Sequence, residues 1–289
     1  MFERGNSKGV VEILNEKDIA ADAAQARKEI EQGKLLVDSG RSLIEAGLQK
    51  TRSLAEEYVL RAKALMTDYA EPRRFELACH AYEQGIELIR ANLSEKELAK
   101  SLFEYGHFLQ TNKRYDLAEV RYRENLDICQ RLAAISPQVY EPDLADTQYN
   151  LGCLYYNIRR YEDSEKMYLS AMEIRRRLAA ANPQVYEPDL ARACNNLSLL
   201  FLAQGNFEEA ERYAREGLKY DSTHHTIYTN LAASLLLQGR YAEAEEIYLR
   251  YKEELKEDFL SDFEDFYQRG IIPPEREDDV ERIKKLLSK

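Results

Sequence analysis

LGCLYYNIRRYEDSEKMYLSAMEI, residues 151–174, decides the fold. Leu151 is followed by a small residue, Gly152, and by the bulky Tyr155 three positions later. A short polar turn comes next. Tyr161 then opens a second apolar run, with Ser164 three residues on and Ala171 closing it. Small residues at these spacings let two paired helices approach closely, and the tyrosines fill the space between one helix pair and the next. The stretch therefore predicts a helical hairpin. One hairpin leaves a face bare, so copies must stack.

The copies are present. Small first-helix positions recur at Gly106, Gly152, Ser198 and Ala232, and aromatic openers at Tyr115, Tyr161, Phe207 and Tyr241. Ala118, Ser164, Ala210 and Ala244 follow the openers. The closing positions are less regular, since Ala171 and Gly217 fit whereas Asn125 and Tyr251 do not. Two turns contain glycine, Gly205 and Gly239, which suits a short helix-ending turn. A degenerate earlier copy runs through YVLRAKALMTDYAEPRRFELACHAYEQGIEL, with Phe75, Ala78, Tyr82 and Gly85 in register and extra residues near Ala70–Arg73.

On these residues, and on LSLLFLAQGNFEEAERYAREGL and LAASLLLQGRYAEAEEIYLRY, the sequence resembles the tetratricopeptide repeat family. Gly106 to Gly152 and Gly152 to Ser198 each span 46 residues, while Ser198 to Ala232 spans the family's usual 34. The long repeats are similar to those of kinesin light chains and bacterial multidomain proteins. The resemblance implies an all-α fold, a right-handed alpha-alpha superhelix. Residues 1–50 form a long N-terminal helical segment, 51–255 a solenoid of about five hairpins, and 256–289 the C-terminal capping helices.

The added length of the long repeats lies in helix extensions and in a duplicated connector, SPQVYEPDLA at 136–145 and NPQVYEPDLA at 182–191. Pro137 and Pro183 force the preceding residue out of helix. Pro142 and Pro188 are expected at the first position of the next helix, with Asp143 and Asp189 in its first turn. Val139, Tyr140, Val185 and Tyr186 are expected to tuck over the helix ends.

Residues 17–67 contain no proline and read as one long helix or two nearly coaxial ones. Ala26, Gly33, Gly40 and Gly47 recur every seven residues as a close-approach stripe. Its ordinary reading is packing on the chain's own neighbouring helix, and its other reading is weak self-association. Ser39-Gly40 is an alternative break. RGNSKGVVEIL, near the start, resembles the turn and second helix of a repeat without its first helix. That predicts a longer natural protein or a missing upstream domain. DFLSDFEDFYQRG and PPEREDDVERIKKLLSK read as two capping helices around Gly270 and Pro273-Pro274.

Charged residues make up 32% and the net charge is -11, which argues against general nucleic-acid binding and adhesion to anionic membranes. The local basic run Arg175-Arg176-Arg177 reads as a solvated helix face. Cys79, Cys129, Cys153 and Cys194 form no CxxC pair and read as small reduced core residues. No signal peptide or membrane-length apolar run is seen, and a cytoplasmic protein is expected; a bacterial source is what the resemblance implies.

Catalytic chemistry has little support. Glu104 and His107 give one ExxH spacing, where a di-iron bundle needs two and further glutamates. His224-His225 reads as a solvated turn, and the nucleophile and phosphate-loop motifs are missing. Neither cofactor, metal nor enzymatic activity is expected.

The resemblance places the binding surface on the first helices, which line a concave groove. Carried over residue by residue, the groove is Lys100, Phe103, Glu104 and His107; Tyr149, Asn150, Tyr156 and Asn157; Arg192, Asn195, Asn196 and Leu199; and Thr226 and Asn230. Asn150, Asn196 and Asn230 form a column that offers donors and acceptors to a peptide backbone, or else bridges adjacent helices. The family's carboxylate clamp needs Lys and Asn where Phe103/His107, Tyr149/Cys153 and Asn195/Leu199 stand, so that clamp is not expected. The expected function is a non-catalytic scaffold for a protein or peptide segment with hydrophobic anchors. The alternative is a ligand- or partner-gated regulatory module of a larger signalling or defence protein.

Overall fold

The computed structural model describes residues 16–35 and 40–288, with side chains over 19–32 and 43–288. Among these residues there are thirteen α-helices, one 3-10 turn and no strand. They are α1 (Glu16–Leu35), α2 (Gly40–Thr67), α3 (Arg74–Asn92), α4 (Glu95–Thr111) and α5 (Tyr115–Ile135). Next come α6 (Pro137–Asn157), α7 (Tyr161–Ala181), α8 (Pro183–Ala203), α9 (Phe207–Tyr220), α10 (His225–Leu237) and α11 (Tyr241–Arg250). The chain closes with α12 (Lys252–Arg269), the 3-10 turn Pro274–Arg276 and α13 (Glu277–Ser288). First and second helices alternate from α2 onward, as the tetratricopeptide pattern requires. The helices form two compact units, Met1–Leu132 and Ala133–Lys289.

In the first unit, α1 and α2 lie side by side rather than end to end. A Cβ on Gly47 would meet the Ile30 side chain and the Ala26 carbonyl, so Gly47 and Ala26 bring neighbouring helices of the same chain together. This answers the question of one helix or two, and residue 50 falls inside α2. The RGNSKGVVEIL stretch and Ser39 lie outside the described residues. The degenerate copy is a true hairpin, because Gly85 on α3 packs against Tyr58 and Ala55 on α2. Tyrosines work in both directions. Tyr122 covers Gly106 within the α4/α5 hairpin, and Tyr82 stacks on Tyr105 of the next one at 4.9 Å.

In the second unit the 46-residue repeats are built differently from the expectation. Ser136 and Asn182 are single non-helical residues, with φ/ψ of -143/82 and -145/83. Pro137 and Pro183 occupy the first helical position, and Pro142 and Pro188 lie inside α6 and α8. The proline-aspartate pairs do not start the helices. An internal proline removes the donor to the carbonyl four residues back. Gln138 and Gln184, which carry those carbonyls, are exposed, so water can take the donor's place. Val139 and Val185 are each 54% exposed and do not tuck in, whereas Tyr186 packs against the core. Almost all of the extra length is therefore helix.

The hairpin turns share one backbone device. A left-handed residue recurs at Lys113 (φ 59), Arg159 (φ 61), Gly205 (φ 75) and Gly239 (φ 83). In each turn the next N–H reaches back to the fifth preceding carbonyl, from Arg114 to Leu109, Arg160 to Tyr155, Asn206 to Phe201 and Arg240 to Leu235. These are Schellman closures, and only two of the four use glycine. The left-handed region costs an L side chain roughly 1 kcal/mol. Lys113→Gly and Arg159→Gly should therefore each stabilise the chain by about 0.5–1 kcal/mol in urea unfolding.

Candidate binding surface

The first-helix residues chosen from sequence fall into separate groups. In the first unit, Lys100, Phe103, Glu104 and His107 lie along one side of α4. They face a cleft against α2 that holds two cavities, of about 470 and 450 Å³. Val59, Leu60, Ile89 and Leu93 give the first an apolar wall, with Lys100 and Glu104 on its α4 side. Tyr82, Phe103, Phe108 and His107 line the second. Lys63 and Glu104 border both, with their charges 3.9 Å apart. Arg52 is held by Glu97 at 2.5 Å, so the charged groups of the cleft are largely paired among themselves. Volumes of this size suit ligand pockets.

In the second unit the corresponding polar residues are engaged with one another. Asn196 on α8 donates to the Tyr149 hydroxyl at 2.8 Å and lies 3.4 Å from both Cys153 Sγ and the Tyr168 hydroxyl. Asn230 is 4% exposed, and its Nδ2 donates to the Asn195 carbonyl at 3.1 Å and to Asn195 Oδ1 at 3.0 Å. Asn150 bonds back to the Asp146 carbonyl of its own helix. Two of the three amides, those of Asn196 and Asn230, bridge neighbouring helices, which is the second of the two roles read for them from the sequence. Thr226 contacts His224 Nδ1, Asn157 is exposed, and Leu199 is half-buried.

Beneath this network lies Arg175, whose side chain is only 2% exposed. It donates to Asp146 at 2.8 Å, reaches the Asp189 carbonyl, and lies 4.5 Å from the Tyr149 ring centroid. Arg176 pairs with Glu216 and Arg177 with Glu141. The basic run is thus a set of tethers between helices, and its first member is not solvated. A buried guanidinium is tolerated because its charge and donors are met. Burial pushes the Cys153 thiol up, which keeps it an unreactive neighbour of the tyrosines.

Sequence reading missed the α2 wall of the first cleft, notably Lys63, Val59 and Leu60. Their signal was present in YVLRAKALM, the first helix of the degenerate copy. It also missed Arg269 on α12, which donates from Nη1 to the Tyr156 hydroxyl at 2.8 Å. No local pattern announces that contact, since 113 residues separate the partners. Among the described residues no three metal-ligating side chains come together, and no helix is long and apolar enough to cross a membrane.

Tetratricopeptide repeat models match residues 144–182 and 195–258, inside this hairpin array. These two segments are tetratricopeptide repeats. No curated protein matches it by sequence. Its fold is similar to that of BtubC (BKLC) from P. vanneervenii, at 19% identity and a TM-score of 0.60, over 81% of this chain and 90% of that one. It is also similar to a signal transduction ATPase with numerous domains, a STAND protein with a tetratricopeptide repeat sensor, from Pyrococcus horikoshii. There the identity is 18% and the TM-score 0.55, over 84% of this chain and 38% of that one. At these identities the likeness is one of fold. The repeats make the chain a protein-interaction scaffold in the general sense.

Two measurements test this account of the second unit. Asn230→Ala should cost about 1–2 kcal/mol in urea unfolding, through lost bonds to Asn195, whereas Asn150→Ala should stay within about 0.5 kcal/mol. Asp262 on α12 gives a pH signature. Burial raises its carboxyl to about 6, against a hydrogen bond from Thr229 and with help from Asp258 and Asp265. A raised carboxyl means that the folded state holds the proton more tightly, so this contribution to stability falls as pH rises from about 4 to about 6. Asp262→Asn should be more stable than the native chain at pH 7, by no more than about 2 kcal/mol, with the difference vanishing below about pH 4.

Proposed function

We propose that the protein binds a segment of another protein along its first helices, without catalysis, and that the α2/α4 cleft of the first unit is the principal seat. The observation that carries this reading is the pair of adjoining cavities on that face, with Phe103, Phe108 and Tyr82 on one side of the Lys63–Glu104 pair and Val59, Leu60 and Leu93 on the other. A hollow with one apolar wall and a charged rim, and an aromatic hollow beyond the ion pair, suit a segment with two hydrophobic anchors and a polar residue between them. The four cysteines are free thiols, as suits a reducing, cytoplasmic setting.

A peptide display selection on the whole chain tests the assignment. Recovered peptides should carry two apolar anchors and lose about tenfold or more in affinity on Phe103→Ala. Because Phe103 also lies edge-on to Tyr122, at 5.9 Å, the exposed His107→Ala and Lys63→Ala changes provide variants that leave the core alone. Asn157→Ala, outside the cleft, should leave binding unchanged. Peptides indifferent to Phe103, His107 and Lys63 would remove the assignment.

The second reading, a partner-gated regulatory module of a larger signalling or defence protein, is favoured by the contact of Arg269 with Tyr156. That contact gives the first-helix face of the second unit a self-occupied state. The fold likeness to repeats named as a sensor in the Pyrococcus protein agrees with this reading.

A further inference from the structure

We propose that Tyr156 and Tyr161 form a cation subsite on the second unit, that Arg269 fills it as a ligand built into the chain, and that a partner segment takes it by presenting an arginine. The partner half of this proposal rests on the segment-binding reading above. The self-occupied half rests on geometry alone.

Arg269 is the last residue of α12, and Gly270 follows in the left-handed conformation at φ 68. The helix stops there, so the guanidinium projects from a helix end. Nη1 bonds the Tyr156 hydroxyl at 2.8 Å, and the guanidinium carbon lies 5.2 Å from the Tyr156 ring centroid. The Tyr161 ring stands 5.9 Å from that of Tyr156. Asp265, one turn back on α12, holds Arg269 Nε at 2.9 Å and fixes the direction of the side chain. The Tyr156 ring and hydroxyl and the Asp265 carboxylate thus meet one planar cation, with the Tyr161 ring beside that of Tyr156, an arrangement that a guanidinium fits better than an ammonium.

This contact is separable from the packing of α12. That helix docks through Leu255, Phe259, Phe263 and Phe266, all buried, with Phe259 and Phe263 against Tyr248. Arg269 instead reaches α6, beyond α10 and α8, and keeps 22% of its side chain exposed. Its release costs no apolar core. With Arg269 withdrawn, the two rings and Asp265 face solvent on a chain of net charge -11, which favours a cationic replacement.

Amide hydrogen exchange on the native chain, Arg269→Gln, Arg269→Lys and Tyr156→Phe tests the latch without any ligand. Arg269→Gln should speed exchange in residues 266–272 by roughly tenfold, while α12 amides over 255–263 change by less than about twofold. Arg269→Lys and Tyr156→Phe should fall between the native chain and Arg269→Gln. Unchanged rates at 266–272, or acceleration across the whole of α12 and α13, would overturn the latch. Displayed random peptides selected on Arg269→Gln should then include ligands whose arginine, changed to glutamine, costs about tenfold in affinity. Those ligands should bind the native chain about tenfold more weakly and be lost on Tyr156→Ala. Ligands without an arginine requirement, or with equal affinity for both chains, would overturn the partner assignment. Binding in the first-unit cleft is reported separately by Phe103→Ala, so the two readings fail independently.

Discussion

The backbone of Gly152 lies so close to the Tyr168 ring that an added Cβ would come within 2.5 Å of it. That spacing between α6 and α7 governs much else in the second unit. It brings the Tyr168 hydroxyl to Asn196 on α8, which in turn donates to Tyr149 on α6. Tyr149 supports the Arg175 guanidinium, and Arg175 returns to Asp146 on α6 and the Asp189 carbonyl on α8. Three helices are joined by one continuous polar network whose register depends on a missing methyl group. Such a network is stabilising only when its members are all met, because an unpaired buried donor costs more than a bond contributes.

The parts of this arrangement that depend on size were legible in the sequence. Gly106 beneath Tyr122 and Gly152 beneath Tyr168 follow from the small-aromatic spacing, and the change from 46 to 34 residues located the long repeats. The parts that depend on which neighbour takes a donor were not. Asn196 and Asn230 sit at the expected positions, yet their amides are used by residues of the preceding repeat. Arg175 stands in a run of three arginines, and only the fold distinguishes the buried one. The turns give a third case. Glycine marks the left-handed position at 205 and 239, but the same backbone at Lys113 and Arg159 leaves no composition signal.

The candidate face divides along the same line. The α4 half of the first-unit cleft was readable because its repeat is regular, with Lys100, Phe103, Glu104 and His107 on consecutive turns. The α2 half belongs to a copy with a longer turn, and that irregularity hid Lys63, Val59 and Leu60. Arg269 was beyond reach for a different reason. A solenoid is nearly one-dimensional, so sequence reading expects contacts with the adjacent repeat only. A contact between α12 and α6, with two first helices between them in chain order, breaks that expectation.

The two units therefore present different surface chemistry from one repeat plan. In the first, two ion pairs border the cleft, Arg52 with Glu97 and Lys63 with Glu104, and the open hollows beside them have aliphatic and aromatic walls. Burial of apolar anchors there would supply affinity, at about 25 cal/mol per Å² before the costs of association. In the second, amides and phenols are already satisfied inside the protein, and a ligand gains little by replacing a bond that exists. What remains exchangeable is the Arg269 contact, where one cation can replace another without uncovering the core. Polar exchange of that kind sets selectivity more than strength, since each new bond is offset by the one given up.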